Sequence, residues 1–169
     1  MNNPQYMSGT GNNFLVSEYE NTKTDIEIIS IVADSLFDID GVIFVEKIDT
    51  LTVKMHYYNS DGSTAELCVN GIRCVAKYAL DNSIIDSNEV TVVAPIGNIK
   101  TNIKENTVSI EVSTPSYEEN KLLIDGLECI KSNIGNPHLL VEVENVDKFD
   151  LEKFVQKVYE TNEFKNGVN

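Results

Sequence analysis

Apolar and polar positions alternate over short stretches of this chain and switch to helical spacing in three places. Asn13 to Glu18 reads as a short strand after the Gly9-Thr10-Gly11 turn. Thr24-Asp25-Ile26-Glu27 has the form of a capping box, and Ile28, Ile29, Val32 and Leu36 follow at helical spacing. The spacing predicts a helix from Asp25 to about Leu36. Val42–Lys47 and Leu51–Tyr58 are β-rich runs joined by Ile48-Asp49-Thr50, a hairpin pattern. A second helix is expected from near Asn70 to about Asp81, with Ile72, Val75, Ala76 and Ala79 on its apolar face. Val90–Ala94, Asn98–Ile103 and Val108–Val112 read as three strands linked by short turns, an antiparallel meander. Glu128–Ser132 and Leu139–Val143 read as strands flanking Gly135-Asn136-Pro137-His138. Leu151, Phe154, Val155 and Val158 mark a third, amphipathic helix.

These elements give an α+β class: a mostly antiparallel sheet with few helices. Residues 113–127 change character, with Pro115 and Gly126 punctuating a polar stretch. The expected organisation is therefore a first domain over 1–115 and a partial second domain over 116–169. The second is a β-β-α piece near the lower size limit for independent stability.

Composition changes this picture little. Hydrophobic residues make up 41% and charged residues 24%, a globular balance. The formal net charge of −14 argues against nucleic acid or an anionic membrane as partner. The N-terminus has no basic stretch leading into an apolar one, and no apolar run approaches the ~20 residues that span a bilayer. A cytoplasmic location is expected. The three cysteines agree with a reducing compartment. Cys68 and Cys74, if both helical, stand ~9 Å apart along the axis, beyond the ~7 Å that a disulfide tolerates. No zinc-type spacing of Cys and His occurs. An incomplete second domain exposes apolar surface, so self-association or contact with a further segment is expected.

The chemistry concentrates in residues 57–74. Cys68 directly precedes the second predicted helix, whose first N–H groups are unpaired and carry the positive dipole end. A thiol there is expected to ionise below its ordinary ~8.5, and Arg73 could add positive potential, its direction being open. The same N–H groups could hold a carboxylate, Asn70 could add an amide, and Gly71 permits close approach. The alternative is that Cys68 is a small buried hydrophobe beside a helix start. Cys74, inside the helix, is read as core. His138 is either a structural hydrogen-bonder or a base partner for Cys68. Asn59-Ser60-Asp61-Gly62 and Gly9-Thr10-Gly11 are each turn-like by composition.

Taken together, four segments resemble the diaminopimelate epimerase family. They are Gly9-Thr-Gly-Asn-Asn-Phe14, Asn59-Ser-Asp-Gly-Ser63, Cys68-Val-Asn-Gly-Ile-Arg-Cys74 and Gly135-Asn-Pro-His138, in the family's order. The resemblance implies two similar α/β halves, here a first half with a mostly antiparallel sheet around a long central helix plus the start of a second. It implies an active site between halves and epimerisation without pyridoxal phosphate or metal, in lysine and peptidoglycan precursor biosynthesis. A thiolate removes the α-proton of a small amino-acid substrate and a thiol on the opposite face returns one. By residue, Cys68 is then the catalytic cysteine of the first half and His138 pairs with a catalytic thiol. Asn12, Asn59, Val69, Asn70, Gly71, Asn136 and Asn169 contact substrate. Val69 stands where the family has glycine, Asn13 and Ser8 replace Asp and His, and Gly41 falls at a substrate-contacting glutamine. The family's second cysteine segment is absent from these 169 residues, and Cys129 does not replace it. The 169 residues alone are therefore expected to be inactive or severely impaired. A racemase of another amino acid and a non-catalytic protein retaining the fold are the alternatives.

Overall fold

The structure, a computed structural model, describes residues 1–64, 68–164 and 167–168. The chain divides into two compact units, Met1–Glu111 and Val112–Asn169.

The first unit is a seven-stranded sheet whose strands follow one another in chain order: β1 (Asn2–Gly9), β2 (Asn12–Glu18), β3 (Gly41–Lys47), β4 (Thr52–Asn59), β5 (Glu89–Ala94), β6 (Gly97–Lys104) and β7 (Thr107–Ile110). The β2–β3 and β4–β5 pairs are parallel and the other four antiparallel. A parallel link needs a crossover, and each crossover here carries a helix. α1 (Asp25–Ala33) connects β2 to β3, and α2 (Val69–Asp81) connects β4 to β5.

Alternation along the strands sorts side chains between two cores. Phe14, Val16, Ile43, Val45, Val53 and Met55 face α2, packing on Ile72, Val75, Ala76 and Ala79. Leu15, Val42, Phe44 and Tyr58 face the other way and pack around Ile28 of α1. The α2 face predicted from spacing is the one buried. α1 opens with the expected capping box: Glu27 N–H donates to Thr24 Oγ1 at 3.3 Å, and Thr24 N–H donates to Glu27 Oε2 at 2.8 Å.

Two features of this unit differ from the sequence reading, and two short strands of the second unit, Ser116–Tyr117 and Leu122–Ile124, were not expected either. α1 ends at Ala33, and Leu36 is 83% exposed. The Leu36 N–H donates to the Tyr6 hydroxyl at 2.9 Å instead of continuing the helix. That hydroxyl belongs to β1, a strand the hydrophobic pattern did not announce. β1 is polar and contains Pro4, which an edge strand tolerates. Its register slips between Asn2 and Gln5, with Asn3 at φ 52°. β1 is tied down by polar contacts: the Tyr78 hydroxyl of α2 donates to the Asn3 carbonyl at 2.7 Å, and Gln5 Nε2 donates to Asn82 Oδ1 at 3.0 Å.

The second unit is built on β10 (Leu127–Asn133). Its hairpin partner is β11 (Pro137–Val141), and two short strands, β8 (Ser116–Tyr117) and β9 (Leu122–Ile124), also pair with it. α3 (Leu151–Glu160) is capped by Asp150 and buries Phe154 and Val158 against Ile124, Cys129 and Phe164. No helix among the described residues is long and apolar enough to cross a membrane.

Candidate active site

The N-terminal ends of β2 and β3 and the C-terminal end of β4 lie side by side. Phe14 is opposite Gly41, and Gly41 is opposite Asn59. Counting in twos back from Phe14 and Ile43 and forward from Met55, strand alternation puts Asn12, Gly41, Tyr57 and Asn59 on the α2 side. α2 starts on that same side, and Cys68 is its N-cap residue. The local chain thus delivers three strand ends and one helix start to a common place.

Cys68 is half-buried, and its sulfur accepts the Gly71 N–H at 3.3 Å. Position 71 is tight: a Cβ there would stand 2.8 Å from Met55 Cε and 3.1 Å from Cys68 Sγ, so the Met55 methyl and the thiol would have to shift. Gly9 is the more constrained, because a Cβ would come within 2.6 Å of the Asn70 carbonyl oxygen, a backbone atom. Asn70 Nδ2 donates to Asn12 Oδ1 at 2.8 Å, which brings together two of the residues singled out from sequence. Asn59 is held from both ends: the Tyr57 hydroxyl donates to its Oδ1 at 2.8 Å, and its Nδ2 donates to Ser63 Oγ at 2.9 Å. Val69 is the first residue of α2 and does not have a positive φ, so its branched side chain is unstrained there.

One electrostatic expectation is corrected, and the direction of Arg73 is settled. Burial pushes the Cys68 thiol above its ordinary value, outweighing the Gly71 and Asn70 N–H groups that favour the thiolate; nearby Asp40 adds to the rise. Arg73 is engaged by Asn70 and Thr10. Its Nη1 donates to Asn70 Oδ1 at 2.7 Å and to Thr10 Oγ1 at 3.1 Å, and its positive charge acts on Cys74. Cys74 is core, as read from sequence, and burial raises its thiol to about 11.

Sequence reasoning missed Tyr57 and Asp40. Burial first, then the charges of Cys68, Asp40 and Asp61, push the Tyr57 phenol up to about 12. It is therefore a neutral donor. Its ring edges against Phe14, with centroids 6.0 Å apart. The signal was available: Val53, Met55, Tyr57 and Asn59 fall on one side of a strand. Asp40 accepts the Asn13 N–H at 2.7 Å and returns its own N–H to the Asn13 carbonyl.

In the second unit, Ile134, Gly135 and Asn136 form the turn between β10 and β11, with Gly135 at φ 118°. His138 is the second residue of β11, and its Nδ1 is 3.0 Å from the Asn136 carbonyl oxygen. A pocket of about 410 Å³ is lined by His138, Ser132, Asn133, Lys131 and Glu163, among others. Asn136 Oδ1 is buried with no hydrogen-bond partner among the described residues. Cys129 is fully buried in β10. Asn169 lies outside the described residues.

The family model for diaminopimelate epimerase matches residues 5–118, which contain the whole Cys68 site. This chain belongs to the diaminopimelate epimerase family. A diaminopimelate epimerase of Thermotoga maritima is 36% identical over 166 residues, covering 96% of this chain and 66% of that relative. One from Agathobacter rectalis is 34% identical over 182 residues, covering 88% of this chain and 63% of the relative. The chain thus spans just under two thirds of the length of these curated relatives of the diaminopimelate epimerase family. The fold also matches a crystal structure of a Bacillus anthracis phenazine biosynthesis protein of the PhzF family, with a TM-score of 0.65 at 15% identity. That match covers 92% of this chain and 61% of the other.

Proposed function

We propose that this chain supplies one acid/base group of a cofactor-independent amino-acid epimerase, one that interconverts LL- and meso-diaminopimelate at the α-carbon. The observation that carries this reading is Cys68 at the N-cap of α2, beside the Asn12–Asn70 amide pair, in a chain of this family. Lysine and peptidoglycan precursor biosynthesis is the corresponding role.

An amino acid's α-proton is weakly acidic, so catalysis requires a positioned base and donors for the developing negative charge. Burial keeps the resting Cys68 as a thiol, the form that delivers a proton. The N–H groups of Gly71 and Asn70 then stabilise the thiolate it becomes. In the reverse direction the thiolate takes the α-proton and is restored to thiol. Asn12, Asn59 and Asn70 supply side-chain amides to the substrate, and Val69 and Gly71 supply backbone at the helix start. His138 and Asn136 of the second unit are proposed as further contributors.

Inversion needs a second acid/base group on the opposite face. Cys74 and Cys129 are both buried core thiols, so neither is proposed for it. The 169 residues by themselves are therefore expected to exchange the α-proton without inverting the centre. Proton NMR of LL-diaminopimelate with the chain in D2O tests this. Slow deuterium incorporation with retention, lost in Cys68→Ala, is the expected result. Rapid formation of the meso form would overturn the one-base assignment. Absence of any exchange, with Cys68 alkylated equally fast with and without ligand, would overturn the epimerase reading.

One observation favours a second reading, a racemase of another amino acid. A Cβ at Gly41 would meet the Tyr58 carbonyl oxygen at 2.4 Å and the Tyr57 ring at 2.5 Å, so no side chain reaches the site from position 41. A panel of amino acids in the same exchange assay decides between the two.

A further inference from the structure

The amides of the Cys68 site have orientations dictated by two charged residues. Arginine can only donate hydrogen bonds, so the Asn70 atom 2.7 Å from Arg73 Nη1 is its oxygen. Asn70 Nδ2 then faces Asn12, which must present its own oxygen, at 2.8 Å. A second chain starts from an acceptor. The Asp61 carboxylate takes the Ser63 hydroxyl proton at 2.6 Å, and also the Ser63 N–H at 2.9 Å. Ser63 Oγ is left to accept, so the Asn59 atom 2.9 Å away is Nδ2. Its oxygen takes the Tyr57 hydroxyl proton at 2.8 Å. Three asparagines therefore have their oxygens engaged inside the protein, while each Nδ2 keeps at least one N–H uncommitted within these two chains.

We propose that Arg73 and Asp61 are positioning residues that set the polarity of this site, turning Asn12, Asn70 and Asn59 into a cradle of N–H donors that selects a carboxylate and rejects its neutral amide. Neither charged residue needs to touch the ligand. Asp61 acts through Ser63, and Arg73 acts through Asn70. Hydrogen bonds to the Ser63 side chain and backbone hold the Asp61 carboxyl below its usual range, so it remains an acceptor throughout the neutral region. A carboxylate only accepts, and it pairs with every N–H presented. A carboxamide must turn its own N–H groups toward donors, and those contacts are repulsive.

This inference rests on the ligand-binding reading of the Cys68 site, and protection of Cys68 from iodoacetamide separates the two. The probes are meso-diaminopimelate, L-2-aminohexanoate and L-2-aminohexanamide, applied to the full chain. Wild type should be protected by both acids and not by the amide. Asp61→Ala and Arg73→Met should each raise the half-protecting acid concentration ~10-fold, the equivalent of one charge-anchored hydrogen bond. Both should also narrow the acid-over-amide preference, whereas Arg73→Lys, which restores a donor, should recover it. A merely structural role would not shift that preference. Asp61 is exposed and lies in a turn, so Asp61→Ala remains informative even if Arg73→Met fails to fold. Unchanged preference in Asp61→Ala overturns the proposal, as does protection of wild type by the amide or by none of the probes. Protection by aminohexanoate but not by diaminopimelate supports it, and removes only the diaminopimelate reading.

Discussion

Cys68 shows how two effects at one atom compete. A helix start favours the thiolate, and the Gly71 and Asn70 N–H groups deliver that effect. Burial opposes it and wins, with Asp40 adding to the rise. The sign follows: the thiolate fraction at pH 7 is lower than for a free cysteine. Alkylation of Cys68 is expected to be slower than that of a peptide cysteine at pH 7, with a midpoint above the ordinary value. Asp40→Asn keeps an acceptor for the Asn13 N–H but removes the negative charge, so the midpoint should move down. A pH series of alkylation rates followed by mass spectrometry measures both. Asn12, Asn59, Cys68 and Asn70 were singled out in sequence, and the structure adds how each is held. Their directions were not legible there. The direction of Arg73 was open in sequence; it holds Asn70, because side-chain aim depends on the Thr10-Gly11 turn that β1 brings beside it.

At the scale of elements, local signals worked where the chain satisfies itself. The Thr24–Glu27 box fixes the start of α1, and Thr24→Ala should cost about 1 kcal/mol, read from chemical denaturation. α2 was legible nearly to the residue because its apolar face lies within its own thirteen residues and its N-cap, Cys68, is the residue just before them. The end of α1 was not, since it is set by the Tyr6 hydroxyl from a strand distant in sequence. Packing between elements gives a second prediction. Gly9 of β1 touches the first turn of α2, and an added Cβ would stand 2.6 Å from the Asn70 carbonyl oxygen. Gly9→Ala should destabilise by ~2 kcal/mol through overpacking. It should also change Cys68 alkylation, because the backbone that must yield is the one positioning the thiol.

Across the whole molecule, the two units differ in the size of their cores. The first has an extensive core on one sheet face and a smaller one on the other, whereas the second centres on Ile124, Cys129, Phe154, Val158 and Phe164. Stability scales with buried apolar surface. Amides of α3 should therefore exchange with deuterium well before those of β3 and β4, measured by native-state hydrogen exchange. Alkaline pH should act on the first unit. Burial raises the Cys74 thiol to about 11 and the Tyr78 phenol to about 12. In the unfolded chain these groups lose protons at their lower ordinary values. Their contribution to stability is therefore constant below about pH 8.5 and is lost as pH rises from about 9 to about 12. A drop in melting temperature of ~4 °C or more across that window is the expected outcome in scanning calorimetry.

What the sequence determined by itself is what periodicity and capping encode: the α+β class, the strands of the meander, the buried face of α2 and the placement of Cys68 at its start. These depend on neighbours within a few residues, where side-chain spacing and backbone geometry are linked directly. The tertiary structure decided the rest. It recruited polar β1 to the sheet edge, ended α1 early, and buried the Cys68 thiol deeply enough to reverse its expected shift. It also oriented three asparagines through Arg73, Ser63 and Asp61. Each of these depends on dielectric surroundings or on a hydrogen-bond partner brought in by chain folding, and neither is written in the local order of residues.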